Sequence, residues 1–358
     1  MFKVFISIEA LTKLCVEEMP KEKDRQCPWF LLLTKQNIIY LDRNIYDEWE
    51  DPKDPLFIFS ESYQIGFRKA PMDFNSIIKN TPEVVLSEPQ GAFLLDVDKV
   101  TAESIQNNYG VICQSTTDLA ECSLITNECK LTLLQNSTNH SWKELFKKGV
   151  SVPSNSLIIV DRYIFGYEGK LNSNYGDGVE NIKQILQCIL PKTLSCEYHV
   201  LVLFDANSSK DKCFDIKKVS KQLENFKNNV LKRPFNVEIE LYSVTNKCAN
   251  YEDTHNRKII SNYFMCSADH LLKAFRHDGT VICNQDIRVE CVYSHGINDF
   301  SDSAVATIDH LVSQFQNMHQ TGIAEYNNNT QNANEYVVMC GTNQSSTVND
   351  IKNRLLLQ

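Results

Sequence analysis

Along this chain, short continuous apolar runs alternate with amphipathic stretches. Near the start, "FKVFISI" reads as a strand and "EALTKLCVEEM" as a short amphipathic helix. "WFLLLTKQNIIYLD" and "PLFIFSESYQIGF" are rich in β-branched and aromatic residues and are broken by Pro52, Pro55 and charged turns, which predicts strands across residues 29–68. "GAFLLDV" then reads as a buried strand, "DKVTAESIQNNYG" as a helix stopped at Gly110, and "VICQS" as the next strand. The front of the chain is thus expected to be α+β in character, passing into a β-α-β run.

Residues 130–155 mix polar and turn-forming positions and suit a domain junction. A different rhythm follows. "SLIIVDRY" is an apolar strand ending in charge. "GVENIKQILQCILP" carries a helical stripe of Ile182, Ile185, Leu186, Ile189 and Leu190 closed by Pro191. "YHVLVLFDA" is a continuous apolar strand, "IKKVSKQLENFKNNVLK" a helix, and "FNVEIELYS" alternates as a strand should. The β-α-β-α-β order predicts a mostly parallel sheet covered by helices. Further on, "SADHLLKAF" reads as a helix, "TVICNQDIRVECVYS" as a hairpin turning at Asn284 to Asp286, and "SDSAVATIDHLVSQFQNMH" as an amphipathic helix. "EYNNNTQNANE" reads as a loop before the closing strand "YVVMC" and a last helix. The expected architecture is α/β in two domains: an acidic N-terminal one over 1–135 and a second, mixed-sheet one over 150–320, with 321–358 as a closing segment.

Composition narrows the function classes. A length of 358 residues favours two domains, and 42% hydrophobic with 23% charged residues is the balance of a globular chain with real cores. The net charge of -9 argues against coating nucleic acid by bulk electrostatics. The acid sits at the front: residues 1–130 hold 13 basic against 21 acidic side chains, and 150–320 hold 18 against 20. Thirteen cysteines at irregular spacings, no C-x-x-C and no signal-peptide pattern at the N-terminus lead to an expectation of reduced thiols in a cytoplasmic protein. No apolar run reaches the length of a membrane span. Neither a P-loop nor a Rossmann glycine fingerprint occurs, so no cofactor and no metal are expected.

The stretch "YEDTHNRKIISNY", residues 251–263, carries the most specific chemistry. If it is a strand, His255 and Arg257 share a face, and an imidazole beside a guanidinium is a cradle for a phosphate. A strand ending in Asp161-Arg162-Tyr163, a helix, an apolar strand, a helix, an alternating strand and then His-x-Arg-x4-Asn resembles a phospholipase D-like domain over about residues 154–280. In that superfamily the last element is the H-x-K-x4-D motif, whose histidine is the nucleophile and whose lysine binds phosphate. The resemblance puts His255, Arg257 and Asn262 in the motif positions, as catalytic candidates, with Asp161 and Tyr163 as near neighbours. Arginine keeps the charge of the lysine and can grip phosphate with two donors. Asparagine removes the charge of the aspartate, and "FMCSADHLL" offers Ser267 without the family's Gly-Ser step. The family's active site uses two motifs, so a catalytic form of this chain would be a homodimer, one histidine attacking phosphorus and the other protonating the leaving group.

Three further constellations complete the expectations. Lys217, Lys218 and Lys221, in a lysine-rich helix, form the densest basic surface that could meet phosphates or an acidic partner. In the front half, Glu9, Glu48, Glu50, Asp96, Asp98 and Asp118 are spread as in metal-dependent PIN-type nucleases, although the strand-rich reading of 29–68 departs from the helices that family places there. Cys196 and His199 form a Cys-His pair at the start of a buried strand, where packing is the commoner role. The resulting reading is a protein that recognises a phosphodiester, in nucleic acid, through a degenerate phospholipase D-like domain: a nuclease or pseudo-nuclease of a bacterial defence system. The alternatives are a non-enzymatic interaction subunit of a larger assembly and a PIN-like nuclease using the front carboxylates.

Overall fold

The structure is a computed structural model. It describes residues 2–16, 28–34, 38–45, 51, 53–79, 82–117, 125–126, 129–138, 140–149, 152–166, 175–205, 215–244, 255–291, 293–294, 301–328, 337–341 and 352–356. The chain divides into two compact units, Met1–Ile125 and Thr126–Gln358, each built of helices and a sheet. The fold class is α/β.

The first unit alternates strand and helix: β1 (Lys3–Ile6), α1 (Ile8–Val16), α2 (Pro28–Thr34), β2 (Ile38–Leu41), α3 (Pro55–Tyr63), β3 (Gly66–Lys69), α4 (Phe74–Ile78), α5 (Pro82–Leu86), β4 (Gly91–Leu95), α6 (Lys99–Tyr109) and β5 (Ile112–Ser115). All five strands run parallel in the order β3-β2-β1-β4-β5. Parallel neighbours need crossovers, which the intervening helices supply. The strands expected over 29–68 are partly helices, α2 and α3. At α3 the local start signal outweighs the β-prone composition: Asp54 accepts the N–H groups of Leu56 at 2.7 Å and Phe57 at 3.4 Å, and Pro55 sits where its fixed φ suits a first helical turn. At the other end of the pattern the reading holds, with Asp98 capping α6 and Gly110 closing it at φ 62°. The region expected to be α+β is therefore a parallel α/β sheet whose core gathers Phe5, Phe93, Ile105, Phe74 and Val111.

The second unit contains β7 (Cys129–Leu133), α7 (Trp142–Gly149), β8 (Ser156–Val160), α8 (Tyr175–Ile189), β9 (Tyr198–Phe204), α9 (Ile216–Phe226, extended by a π-turn over Lys227–Leu231) and β10 (Val237–Val244). Then come β11 (Lys258–Ser261), β12 (Phe264–Ala268), β13 (Gln285–Cys291), α10 (Ser301–Asn328), β15 (Val337–Gly341) and a 3-10 turn, Arg354–Leu356. The two-residue strands β6 (Ile125–Thr126) and β14 (Tyr293–Ser294) complete the order. Eight strands form one sheet, β15-β10-β9-β8-β11-β12-β13-β7. β8, β9 and β10 are parallel, as the apolar runs predict, and the other members join antiparallel. Right-handed crossovers between sequential neighbours put α8 and α9 on one face. On the other face α10 lays Ile308, Leu311, Val312, Phe315 and Met318 over Ile158, Leu201, Leu203, Tyr242 and Ile260.

Three local expectations are corrected. "SADHLLKAF" is not a helix: β12 runs through Ala268, and the backbone beyond it donates to buried side chains instead of to a helical ladder. Leu271 N–H goes to Gln285, Leu272 N–H to Asp161, and the N–H groups of Ala274 and Phe275 to Asn181. The hairpin at Asn284 to Asp286 is instead the start of β13, which pairs with β12 and β7. The last helix is the single 3-10 turn at Arg354–Leu356. Among the described residues no helix is long and apolar enough to cross a membrane, and Cys15, Cys113, Cys129, Cys188, Cys196, Cys266, Cys283 and Cys291 are free thiols.

Candidate functional site

β8 ends at Val160, and β11 runs antiparallel beside it with Lys258 opposite Val160. Asp161 and Arg257 are therefore the next residues on adjacent strands, at the edge where β8, β9 and β10 have their C-terminal ends. In open α/β sheets ligands bind outside such carboxyl ends. His255 lies just upstream of the strand, exposed, with Nδ1 3.4 Å from Nη1 of the half-buried Arg257. The Tyr163 and His255 rings stand edge to face, centroids 5.9 Å apart, and Tyr163 also packs against Leu271, Ile282 and Cys283. Four residues singled out in the sequence, Asp161, Tyr163, His255 and Arg257, thus meet at one edge.

Asp161 holds that edge together. It is fully buried, and its two carboxylate oxygens accept Tyr163 N–H and Leu272 N–H, each at 2.9 Å, so one side chain ties the turn after β8 to the segment after β12. Burial pushes its carboxyl above the usual range, while the two backbone donors and the positive charges of Arg257 and Lys273 pull it back. Lys273 is buried as well, its Nζ 2.5 Å from the Gly166 carbonyl at the end of the same turn. Sequence reading missed this lysine because it fell in a presumed helix, where a lysine is ordinary surface. The first turn of α8 closes the floor: a Cβ on Gly178 would lie 1.9 Å from the Ile164 carbonyl oxygen, so only glycine lets the helix approach. Behind it Asn181, with no exposure, accepts Trp142 Nε1–H at 2.9 Å and the Ala274 and Phe275 N–H groups at 3.1 Å.

Asn262 stands at the far end of β11. It is fully buried; its Oδ1 accepts the N–H groups of Asn155 at 3.0 Å and Ser156 at 3.1 Å, and its Nδ2 donates to Asn155 Oδ1 at 2.9 Å. It brackets the start of β8 and does not join His255 and Arg257. Lys217, Lys218 and Lys221 are exposed on α9, whose N-terminus, capped by Asp215, faces the carboxyl edge because the helix runs antiparallel to the strands. His140, just ahead of α7, pairs with Glu144 at 3.0 Å beside an open cleft that Lys143, Lys147 and Lys192 line. Burial keeps the Cys196 thiol above its ordinary pKa, the opposite of an activated thiolate, and drops His199 to about 4.

In the first unit the switch point of the sheet falls between β1 and β4. Asp96, just past β4, accepts Lys13 Nζ at 2.5 Å and the Thr116 hydroxyl at 2.9 Å, and these bonds hold its carboxyl below the usual range. Glu9 pairs with Arg43 at 3.5 Å, and Asp98 is spent on capping α6. Each described acid of the set has a basic or backbone partner. Glu48, Glu50 and Asp118 lie outside the described residues. No family model and no curated protein matches the chain.

Proposed function

We propose that the second unit recognises a phosphodiester, in nucleic acid, at the carboxyl edge of β8, with Arg257 gripping the phosphate and His255 beside it. The observation that carries this reading is the convergence of an exposed imidazole and a guanidinium on one edge, backed by a buried carboxylate that two backbone N–H groups and two cations hold in place. A guanidinium presents donors in a fork that matches phosphate oxygens. The order β8, α8, β9, α9, β10 and then a His-x-Arg segment leading into β11 is also the order on which the resemblance to phospholipase D-like domains rests. By that resemblance, cleavage would use His255 as nucleophile, a second copy of the chain for the other histidine, and no metal.

The alternative of an interaction platform draws on the same 3.4 Å contact, since a His-Arg pair satisfied by each other needs no ligand. The exposure of His255 favours recognition. The deciding experiment incubates the purified chain with labelled single- and double-stranded DNA and RNA, with and without EDTA, beside His255→Ala and Arg257→Ala. The reading expects retention of an oligonucleotide that Arg257→Ala weakens by about tenfold or more, the loss of one charged hydrogen bond. Any cleavage should survive EDTA and vanish in His255→Ala. Binding or cleavage indifferent to both variants would overturn it, and cleavage abolished by EDTA would move the activity to the front carboxylates.

A further inference from the structure

At the opposite, N-terminal edge of the second sheet, β9 and β10 bring three ligating side chains together. His199 pairs in register with Glu238, so both side chains rise on the face that α10 covers, and Glu197, two residues before His199, shares that face. One ligand atom from each of Glu197, His199 and Glu238 lies within 4.8 Å of the others. Glu238 is only 1% exposed; its Oε2 accepts Lys352 Nζ at 3.3 Å, and its Oε1, at the same distance from that ammonium, receives no hydrogen bond. An ionised carboxylate in that position is costly unless a cation faces it. His199 is 6% exposed, with Nε2 3.5 Å from Glu197 Oε2, a separation too long for a good hydrogen bond. Its Nδ1 is buried with no hydrogen bond, and the Lys352 backbone lies beside the imidazole. Metal-bound histidines commonly turn their second nitrogen to such a backbone group.

We propose that Glu197, His199 and Glu238 form a site for a divalent transition-metal ion of the zinc class, and that the Lys352 ammonium is the resident cation the ion displaces. Two carboxylates and an imidazole are a donor set for a borderline ion, leaving a fourth position for water. Tetrahedral ligation at ~2.0 Å brings donor atoms to roughly 3.3 Å apart, so the cluster must close by ~1.5 Å at most. Glu197, 49% exposed, makes that move inward by giving up the Asn236 Nδ2–H that its Oε1 accepts at 2.9 Å, and Lys352, 43% exposed, turns from Glu238 toward water. The neighbouring residue, Asn353, is fully buried and donates to the Leu157 carbonyl at 2.9 Å, so the ion would sit where the end of the chain is fastened to the sheet.

Co2+ is the probe of choice, because its visible spectrum separates nitrogen and oxygen ligation from binding to the thirteen cysteines. Full-length wild type, Glu197→Gln, His199→Ala and Lys352→Met are stripped with EDTA, desalted and titrated. Wild type is expected to take up one ion per chain without a thiolate charge-transfer band, and Lys352→Met to bind at least tenfold tighter once the competing ammonium is gone. Glu197→Gln, whose exposed side chain makes it safe for folding, should bind at least tenfold more weakly, with His199→Ala weaker still. No uptake by wild type overturns the proposal even if Lys352→Met binds, since Lys352 is then a permanent counter-ion. Uptake unchanged in Glu197→Gln, or accompanied by the thiolate band, overturns it as well.

Discussion

Replacing Asn262 by alanine separates the fold from the site most cleanly. The side chain is buried without exposure and accepts two backbone N–H groups, from Asn155 and Ser156, at 3.0 and 3.1 Å, while donating to Asn155 Oδ1 at 2.9 Å. Alanine would leave those two N–H groups buried and unpaired at the start of the central strand. A stranded buried donor costs about 1–3 kcal/mol, so the variant should lose roughly 2–5 kcal/mol. The loss should register as a lower urea midpoint and as faster hydrogen exchange in peptides covering β8. Five residues at about 3.3 Å per residue put Asn262 some ~16 Å from Arg257 along the strand, so oligonucleotide binding per folded molecule should be unchanged. Asn262→Asp, which restores the aspartate of the motif, keeps both acceptors but sets an oxygen against Asn155 Oδ1; it should cost about 1–3 kcal/mol and add no activity. A variant that folds with wild-type stability yet fails to bind would refute this division of labour and make Asn262 part of the recognition surface.

Gly178→Ala should destabilise the second unit by at least about 2 kcal/mol, measured by thermal melting, because the new methyl would meet the Ile164 carbonyl at 1.9 Å and force α8 away from the turn that carries Tyr163. Asn181→Leu should cost about 3–5 kcal/mol in urea unfolding, since the Trp142, Ala274 and Phe275 N–H groups lose their shared acceptor. Asp96→Asn should shift first-unit stability at pH 7 by less than about 1 kcal/mol, the Lys13 pair being two-fifths exposed. The folded pKa of Asp96 is depressed, so its contribution is present above the ordinary aspartate value of 3.8 and disappears as pH falls through the lowered one; melts of wild type and variant should converge in acid. The same variant should leave any EDTA-resistant cleavage intact.

Much of the second unit was legible because its strands are apolar runs and its helices carry clean stripes. His255 and Arg257 were expected to share a strand face, but β11 begins only at Lys258, and their 3.4 Å contact is made just ahead of it. What escaped depended on partners far along the chain. In β10, Val237, Ile239 and Leu241 alternate with Glu238 and Glu240, the pattern of a half-solvated strand; yet all eight residues are buried, because residues more than a hundred positions later, around Lys352, cover the polar face. The segment after β12 has helical composition but gives its N–H groups to Gln285, Asp161 and Asn181, acceptors that no local window contains. At α3 the cause is local: Asp54 and Pro55 signal a helix start in the sequence itself, and that signal outweighs the β-prone residues after them. Asn262 was assigned to the chemistry by its place in a motif, whereas its contacts are those of a strand bracket.

The most direct test of the central claim is to map where a short single-stranded oligonucleotide touches the protein, by amide chemical-shift perturbation in EDTA, with Arg257→Ala as the control. The account predicts shifts concentrated at residues 161–166, 255–257 and 271–273, the three segments joined through Asp161, and their disappearance in the variant. Shifts confined to α9, to the first unit, or unchanged in Arg257→Ala would contradict it.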